Sequence, residues 1–105
     1  MSINIKSEIL SIKESLITNR RDFHMHPELG FEEVRTSKII AEKLLSYGLD
    51  VQTGIGKTGV VATLTGENSG KTIGLRADMD ALPIQETGDL SFKSVNDGVM
   101  HACGH

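Results

Sequence analysis

Tryptophan is absent from this chain, and its only aromatic rings are Phe23, Phe31, Tyr47 and Phe92. That is too few for a platform on which nucleic-acid bases stack. Basic residues are not in excess either. Eleven Lys and Arg against fourteen Asp and Glu leave a net charge of −3, without the electrostatic footprint of a phosphate-binding surface. A single cysteine, Cys103, excludes an internal disulfide. No apolar run approaches the ~20 residues needed to cross a bilayer. The opening Met-Ser-Ile-Asn-Ile-Lys-Ser-Glu lacks the basic stretch and apolar run of a signal peptide. The expectation is a soluble, cytoplasmic protein with neither nucleic acid nor membrane as partner. At 105 residues, 38% hydrophobic and 24% charged, the chain has the composition of globular material and the length of one domain or less.

Ile5, Ile9, Ile12 and Leu16 recur at three- and four-residue steps between charged residues, which predicts an amphipathic helix running on towards Arg20-Arg21-Asp22-Phe23. Pro27 disfavours helix at His26, and Gly30 adds a second break. A second helix is predicted to start near Glu32 and Glu33, whose charges suit a helix N-terminus. Its buried stripe would be Val34, Ser37, Ile40, Ala41, Leu44 and Leu45, and Gly48 offers a left-handed stop. An extended region begins at Val51. Residues 59–64 and 72–76 read as strands, and the turn-rich residues 65–71 between them predict that these two pair as a β-hairpin. From Asp78 onward Pro83, Gly88 and Gly98 mark a long loop. Helices followed by strands and a loop that carries polar groups suggest α/β architecture.

Four stretches carry candidate chemistry. Arg76-Ala77-Asp78-Met79-Asp80 places two carboxylates where a strand ends, the position at which α/β proteins set ligands and catalytic groups. Asp78 and Asp80 either orient a metal-ligating histidine, ligate metal themselves or help to activate water. The plainer alternative is that Asp80 caps the turn before Pro83 while Asp78 pairs with Arg76. Cys103-Gly104-His105 offers a thiolate and an imidazole two residues apart, good ligands for a first-row divalent metal. Its plainer alternative is a small buried thiol beside a solvated histidine. His24-Met25-His26 looks like a metal pair, but residues two apart on a helix point to nearly opposite sides. Packing or hydrogen bonding is the favoured role there, with His26 capping the end of the first helix. Gly54-Ile55-Gly56-Lys57-Thr58-Gly59 contains Gly-Lys-Thr, yet the earlier glycine of a phosphate loop falls at Val51 and a strand follows instead of a helix. These glycines are read as a tight turn.

Three runs taken together resemble one family: Arg20-Arg21-Asp22-Phe23-His24-Met25-His26-Pro27-Glu28-Leu29-Gly30-Phe31-Glu32-Glu33, then residues 74–84 around Arg76-Ala77-Asp78-Met79-Asp80-Ala81-Leu82-Pro83, then Met100-His101-Ala102-Cys103-Gly104-His105. In this order and spacing they are similar to the N-terminus of the metal-dependent aminoacylases, the group of hippurate hydrolases and indole-acetyl-amino-acid hydrolases related to the zinc carboxypeptidases. The resemblance implies the N-terminal portion of a dinuclear metallohydrolase catalytic domain over residues 1–105. It implies two divalent metals in the intact family (manganese, zinc, nickel or cobalt), at most partly bound by this chain. The implied substrate is a small N-acyl amino acid, and a homodimer is implied for the intact form. On the matching motifs Cys103 and His105 would be metal ligands, Asp78 the active-site acid after the strand, and Asp80 its neighbour at the metal. Members are several times longer and carry a glutamate pair, further histidine ligands and a lid-like dimerisation domain beyond this point. The expectation is therefore an amidohydrolase fragment that is inactive by itself. A small metal-binding protein without catalysis, or a non-functional remnant, are the competing expectations.

Overall fold

The computed structural model describes residues 4–104. Three helices, α1 (Ser7–Ser11), α2 (Lys13–Met25) and α3 (Val34–Ser46), precede an antiparallel pair, β1 (Asp50–Ile55) and β2 (Gly59–Thr63). The first amphipathic stretch is helical as its periodicity predicts, but it is broken at Ile12 (φ −103°, ψ 6°) into α1 and α2. Its apolar stripe lies on the surface. Ile5, Ile9, Ile12 and Leu16 each remain about half exposed, because no described element packs over them.

The α2 helix ends at the Pro27 break. The His26 Nδ1–H donates to the Asp22 carbonyl at 3.0 Å, a side-chain cap beside the backbone bond that the same carbonyl accepts from His26 N–H. The start of α3 is capped from a distance. Glu33 stands at the N-cap position without bonding the helix through its side chain. Instead the Glu28 carboxylate accepts from the backbone N–H of Arg35 at 3.0 Å and of Thr36 at 2.6 Å. Negative charge at the positive end of the helix dipole is the preferred arrangement there. The far end closes at Gly48 (φ +82°), with Gly48 N–H on the Leu45 carbonyl and Leu49 N–H on the Leu44 carbonyl. Those two bonds form a Schellman motif, and the left-handed residue it needs is a glycine.

The middle of the expected α3 stripe faces inward, with Ala41 buried and Ser37, Ile40 and Leu44 half-buried, while its two ends do not. Thr36 and Ala41 are its buried residues, whereas Val34 is 73% and Leu45 57% exposed. The helix packs on both β1 and β2.

The hairpin differs from expectation in its partner strand. Residues 59–63 pair with residues 50–55 in the register Asp50↔Thr63, Val51↔Ala62, Gln52↔Val61 and Ile55↔Gly59, through a turn at Gly56-Lys57-Thr58. The short turn costs less closure entropy than the seven-residue segment 65–71. A glycine also allows the tight approach at its base, since a Cβ at Gly59 would collide with the Ile55 carbonyl oxygen. Residues 72–76 form no strand among the described residues. Ile73 is left 86% and Leu75 97% exposed. The radius of gyration of 16.1 Å, against about 13 Å for a compact domain of this length, reflects that uncovered surface.

Candidate functional site

Two single bridges draw the polar motifs together. Ala81, just after the acidic pair, bridges Leu29 in parallel, with Ala81 N–H donating to the Glu28 carbonyl at 2.8 Å. Leu82 and Met100 bridge antiparallel and exchange both backbone bonds, at 2.9 and 3.0 Å. The exit of the acidic segment is thereby tied to the start of His101-Ala102-Cys103.

The residues between these anchors form a compact loop folded back on itself. Glu86, only 4% exposed, points inward. Its carboxylate accepts from His24 Nε2 at 3.0 and 3.1 Å and from the Ser94 N–H at 2.8 Å. Those bonds, the Ser94 amide first and the His24 ring next, hold the Glu86 carboxyl below the usual carboxylate range. The His24 ring packs edge-on against Phe92 at 5.6 Å, and the Arg21 guanidinium lies 4.6 Å over the other ring. Asn96 Nδ2 donates to the Pro27 carbonyl at 2.9 Å, and Val95 N–H to the Met25 carbonyl at 2.9 Å. The His-x-His-Pro-Glu run thus serves as scaffold. His24 anchors the loop, His26 caps α2, and Glu28 caps α3.

Against this scaffold sits a cavity of about 280 Å³. Phe23, Ile40 and Met79 give it an apolar wall, while Arg20, His24, Asp78, Asp80, His101 and Cys103 supply the polar one. The cavity therefore holds three of the four site residues that the sequence singles out, Asp78, Asp80 and Cys103. The fourth, His105, lies outside the described residues. Asp78 also pairs with Arg76, as the plainer reading has it, with Nη2 and Nε at 3.1 and 3.3 Å from Oδ1. Cys103 is exposed and not the buried thiol of the plainer reading.

His101 is the cavity residue that sequence reasoning did not single out. Burial pushes its imidazole below the ordinary histidine range; the nearby His24 adds to the effect and Asp80 opposes it. Its Nε2 is buried without a hydrogen-bond partner among the described residues. One signal for it exists in the sequence. His101, Cys103 and His105 alternate, which in an extended segment sets all three on one side.

A thiolate, imidazoles and carboxylates are suitable donors for a divalent transition metal, and an orphaned ring nitrogen in the wall agrees with such an occupant. Among the described residues no three His, Cys, Asp or Glu groups are gathered closely enough to hold a metal ion.

Residues 74–105, the stretch that carries all four site residues, match the family described as peptidase family M20/M25/M40. The chain is 52% identical over 103 residues to the hippurate hydrolase of Campylobacter jejuni, covering 98% of this chain and 27% of that protein. It is 49% identical over 102 residues to thermostable carboxypeptidase 2 of Saccharolobus solfataricus, covering 96% and 26%. Among solved structures it superposes on the Bacillus subtilis YXEP protein, a dinuclear metal binding peptidase from the M20 family. There the TM-score is 0.83 at 47% identity, over 90% of this chain and 27% of that one. By sequence and by fold the chain is similar to members of peptidase family M20. It spans about a quarter of the length of the relatives it matches. Among the described residues no helix is long and apolar enough to cross a membrane.

Proposed function

We propose that this chain forms the N-terminal part of the catalytic domain of a metal-dependent amidohydrolase, one that splits the amide of an N-acyl amino acid into a carboxylate and an amino acid. The observation that carries the reading is the single cavity lined by Asp78, Asp80 and Cys103 in a chain similar to members of this family. Hippurate is N-benzoylglycine, and a C-terminal peptide bond is likewise an acyl group on an amino acid. The substrate class common to both is an amide whose nitrogen belongs to an amino acid with a carboxylate.

In this reading Cys103, as thiolate, and His105 would hold a divalent cation drawn from manganese, zinc, nickel or cobalt. Such a cation would make hydroxide available near neutral pH and offset charge on the developing oxyanion. Asp78 and Asp80 bring carboxylates to the cavity that Cys103 lines, where they would orient a metal ligand or help to activate water. The apolar wall of Phe23, Ile40 and Met79 limits water around the reacting amide. The 105-residue chain by itself is proposed to be inactive, as a quarter of the length of its relatives supplies too few donors to close a dinuclear site.

The test is a chimera in which this chain replaces the matching residues of the Campylobacter jejuni hippurate hydrolase. Its kcat/KM for hippurate should fall within about tenfold of the parent. C103S and D80N should each lower kcat at least about a hundredfold. A folded chimera without hydrolysis, or full activity in C103S, overturns the reading.

A further inference from the structure

We infer that residues 72–76 are a docking strand, whose backbone pairs with a strand supplied by the remaining three-quarters of an M20-type chain. The inference goes beyond the proposed amide hydrolysis and does not depend on it. Thr72-Ile73-Gly74-Leu75-Arg76 has the alternation of a strand. Yet among the described residues none of residues 65–77 makes a backbone hydrogen bond. Residues 63–78 are exposed throughout, and Leu64, Ile73 and Leu75 are the most exposed large apolar side chains of the described residues. Ile73 and Leu75, two apart, share one face of an extended segment. A neighbouring strand would satisfy the open N–H and C=O groups and shield both side chains in one step.

The lengths of its relatives identify the partner. The chain aligns over 98% of its own length with the Campylobacter jejuni hippurate hydrolase but covers only 27% of it. Its backbone matches that of the YXEP protein at a TM-score of 0.83 over 90% of this chain and 27% of that one. The same shape is therefore taken inside a protein about four times as long. A path left open here and kept there is one that contacts with the longer protein hold. A second copy of the chain suits the segment less well, because Lys71 and Arg76 flank it as the charges that discourage an edge from pairing with itself. Docking also bears on the cavity. It fixes the segment from which Asp78 and Asp80 project, on the side opposite in sequence to the anchor given by the Ala81–Leu29 bridge.

Amide hydrogen exchange tests the inference on the 105-residue chain and on its chimera with the Campylobacter jejuni hippurate hydrolase. Amides 73–76 should exchange within about tenfold of an unstructured peptide in the 105-residue chain, and at least about a thousandfold more slowly in the chimera. L75D should lower the Tm of the chimera by at least about 5 °C, since it would place a carboxylate under the docked strand. Fast exchange at 73–76 in a chimera whose α2 and α3 amides are protected, or a chimera Tm unmoved by L75D, overturns the inference. Protection at 73–76 in the 105-residue chain that grows with its concentration assigns the surface to a second copy and overturns the choice of partner. Co-expression of the 105-residue chain with the remainder of that hydrolase gives a readout that needs no chimera. The two pieces should purify as one complex that L75D weakens at least about tenfold, and wild-type pieces that stay apart overturn the inference. None of these readouts involves hydrolysis, so a protected but inactive chimera refutes the proposed activity alone, and an active chimera with fast exchange at 73–76 refutes the docking strand alone.

Discussion

Removing the Glu28 carboxylate tests whether α3 is held at its start by a side chain six residues upstream of its first residue. The carboxylate accepts two backbone N–H groups, at 3.0 and 2.6 Å, that the helix cannot satisfy itself. Partial burial works against ionisation, but the Thr36 and Arg35 amides and the Arg35 charge outweigh it and hold the Glu28 carboxyl below its ordinary value. Loss of an N-cap costs about 1–2 kcal/mol. E28A, which leaves both amides unpaired, should sit at the upper end of that range. E28Q keeps one acceptor oxygen without the charge and should lose about 1 kcal/mol. For a chain of this size that amounts to a fall in Tm of about 5–15 °C, followed by circular dichroism of the helices. Because the folded-state carboxyl is more acidic than the unfolded one, its stabilisation is full above the unfolded value and is lost as pH falls through the folded value. The gap between wild type and E28Q should be wide near neutral pH and close as pH falls through the folded value. Equal melting of E28A and wild type at neutral pH, or a gap unchanged by acid, would refute the capping argument.

Two further outcomes follow from the same contacts. E86A should open the loop between Leu82 and Met100, since His24 and the Ser94 amide both lose their acceptor; faster hydrogen exchange at Ser94 and faster tryptic cleavage after Lys93 would report it. The wild-type loop should loosen likewise on acidification, as pH falls through the lowered Glu86 value, and an unchanged Ser94 exchange rate in E86A would count against the anchor. L75D should leave the stability of the 105-residue chain within about 0.5 kcal/mol, because Leu75 is 97% exposed, while reducing self-association measured by light scattering. A marked fall in Tm would show that Leu75 has a buried partner.

Much of what the site contains was legible along the chain, because its signals are local. The Schellman stop at Gly48 is written in one glycine after a periodic apolar stripe. The helix breaks at Pro27, and the two acidic residues leaving an apolar segment needed no knowledge of the fold. The alternation of Cys103 and His105 suggested donor chemistry from the sequence alone, and the family resemblance was carried by the same three runs. His26 as a helix cap followed from its place before a proline.

Other features depended on where distant segments meet. The sequence offers β2 two extended candidates for a partner, and only tertiary structure chooses residues 50–55, through the shorter turn and the clearance at Gly59. It gives no sign that Glu86 will reach His24 across 62 positions, or that Glu28 will cap a helix it does not adjoin. Nor does it say that His101 Nε2 will be sealed from water beside Asp80 and Cys103. Periodicity, caps and breakers act over a few residues and therefore leave a mark in the sequence itself. Pairing, burial and the lining of a cavity arise from contacts between segments far apart in the chain, whose energies no local pattern records.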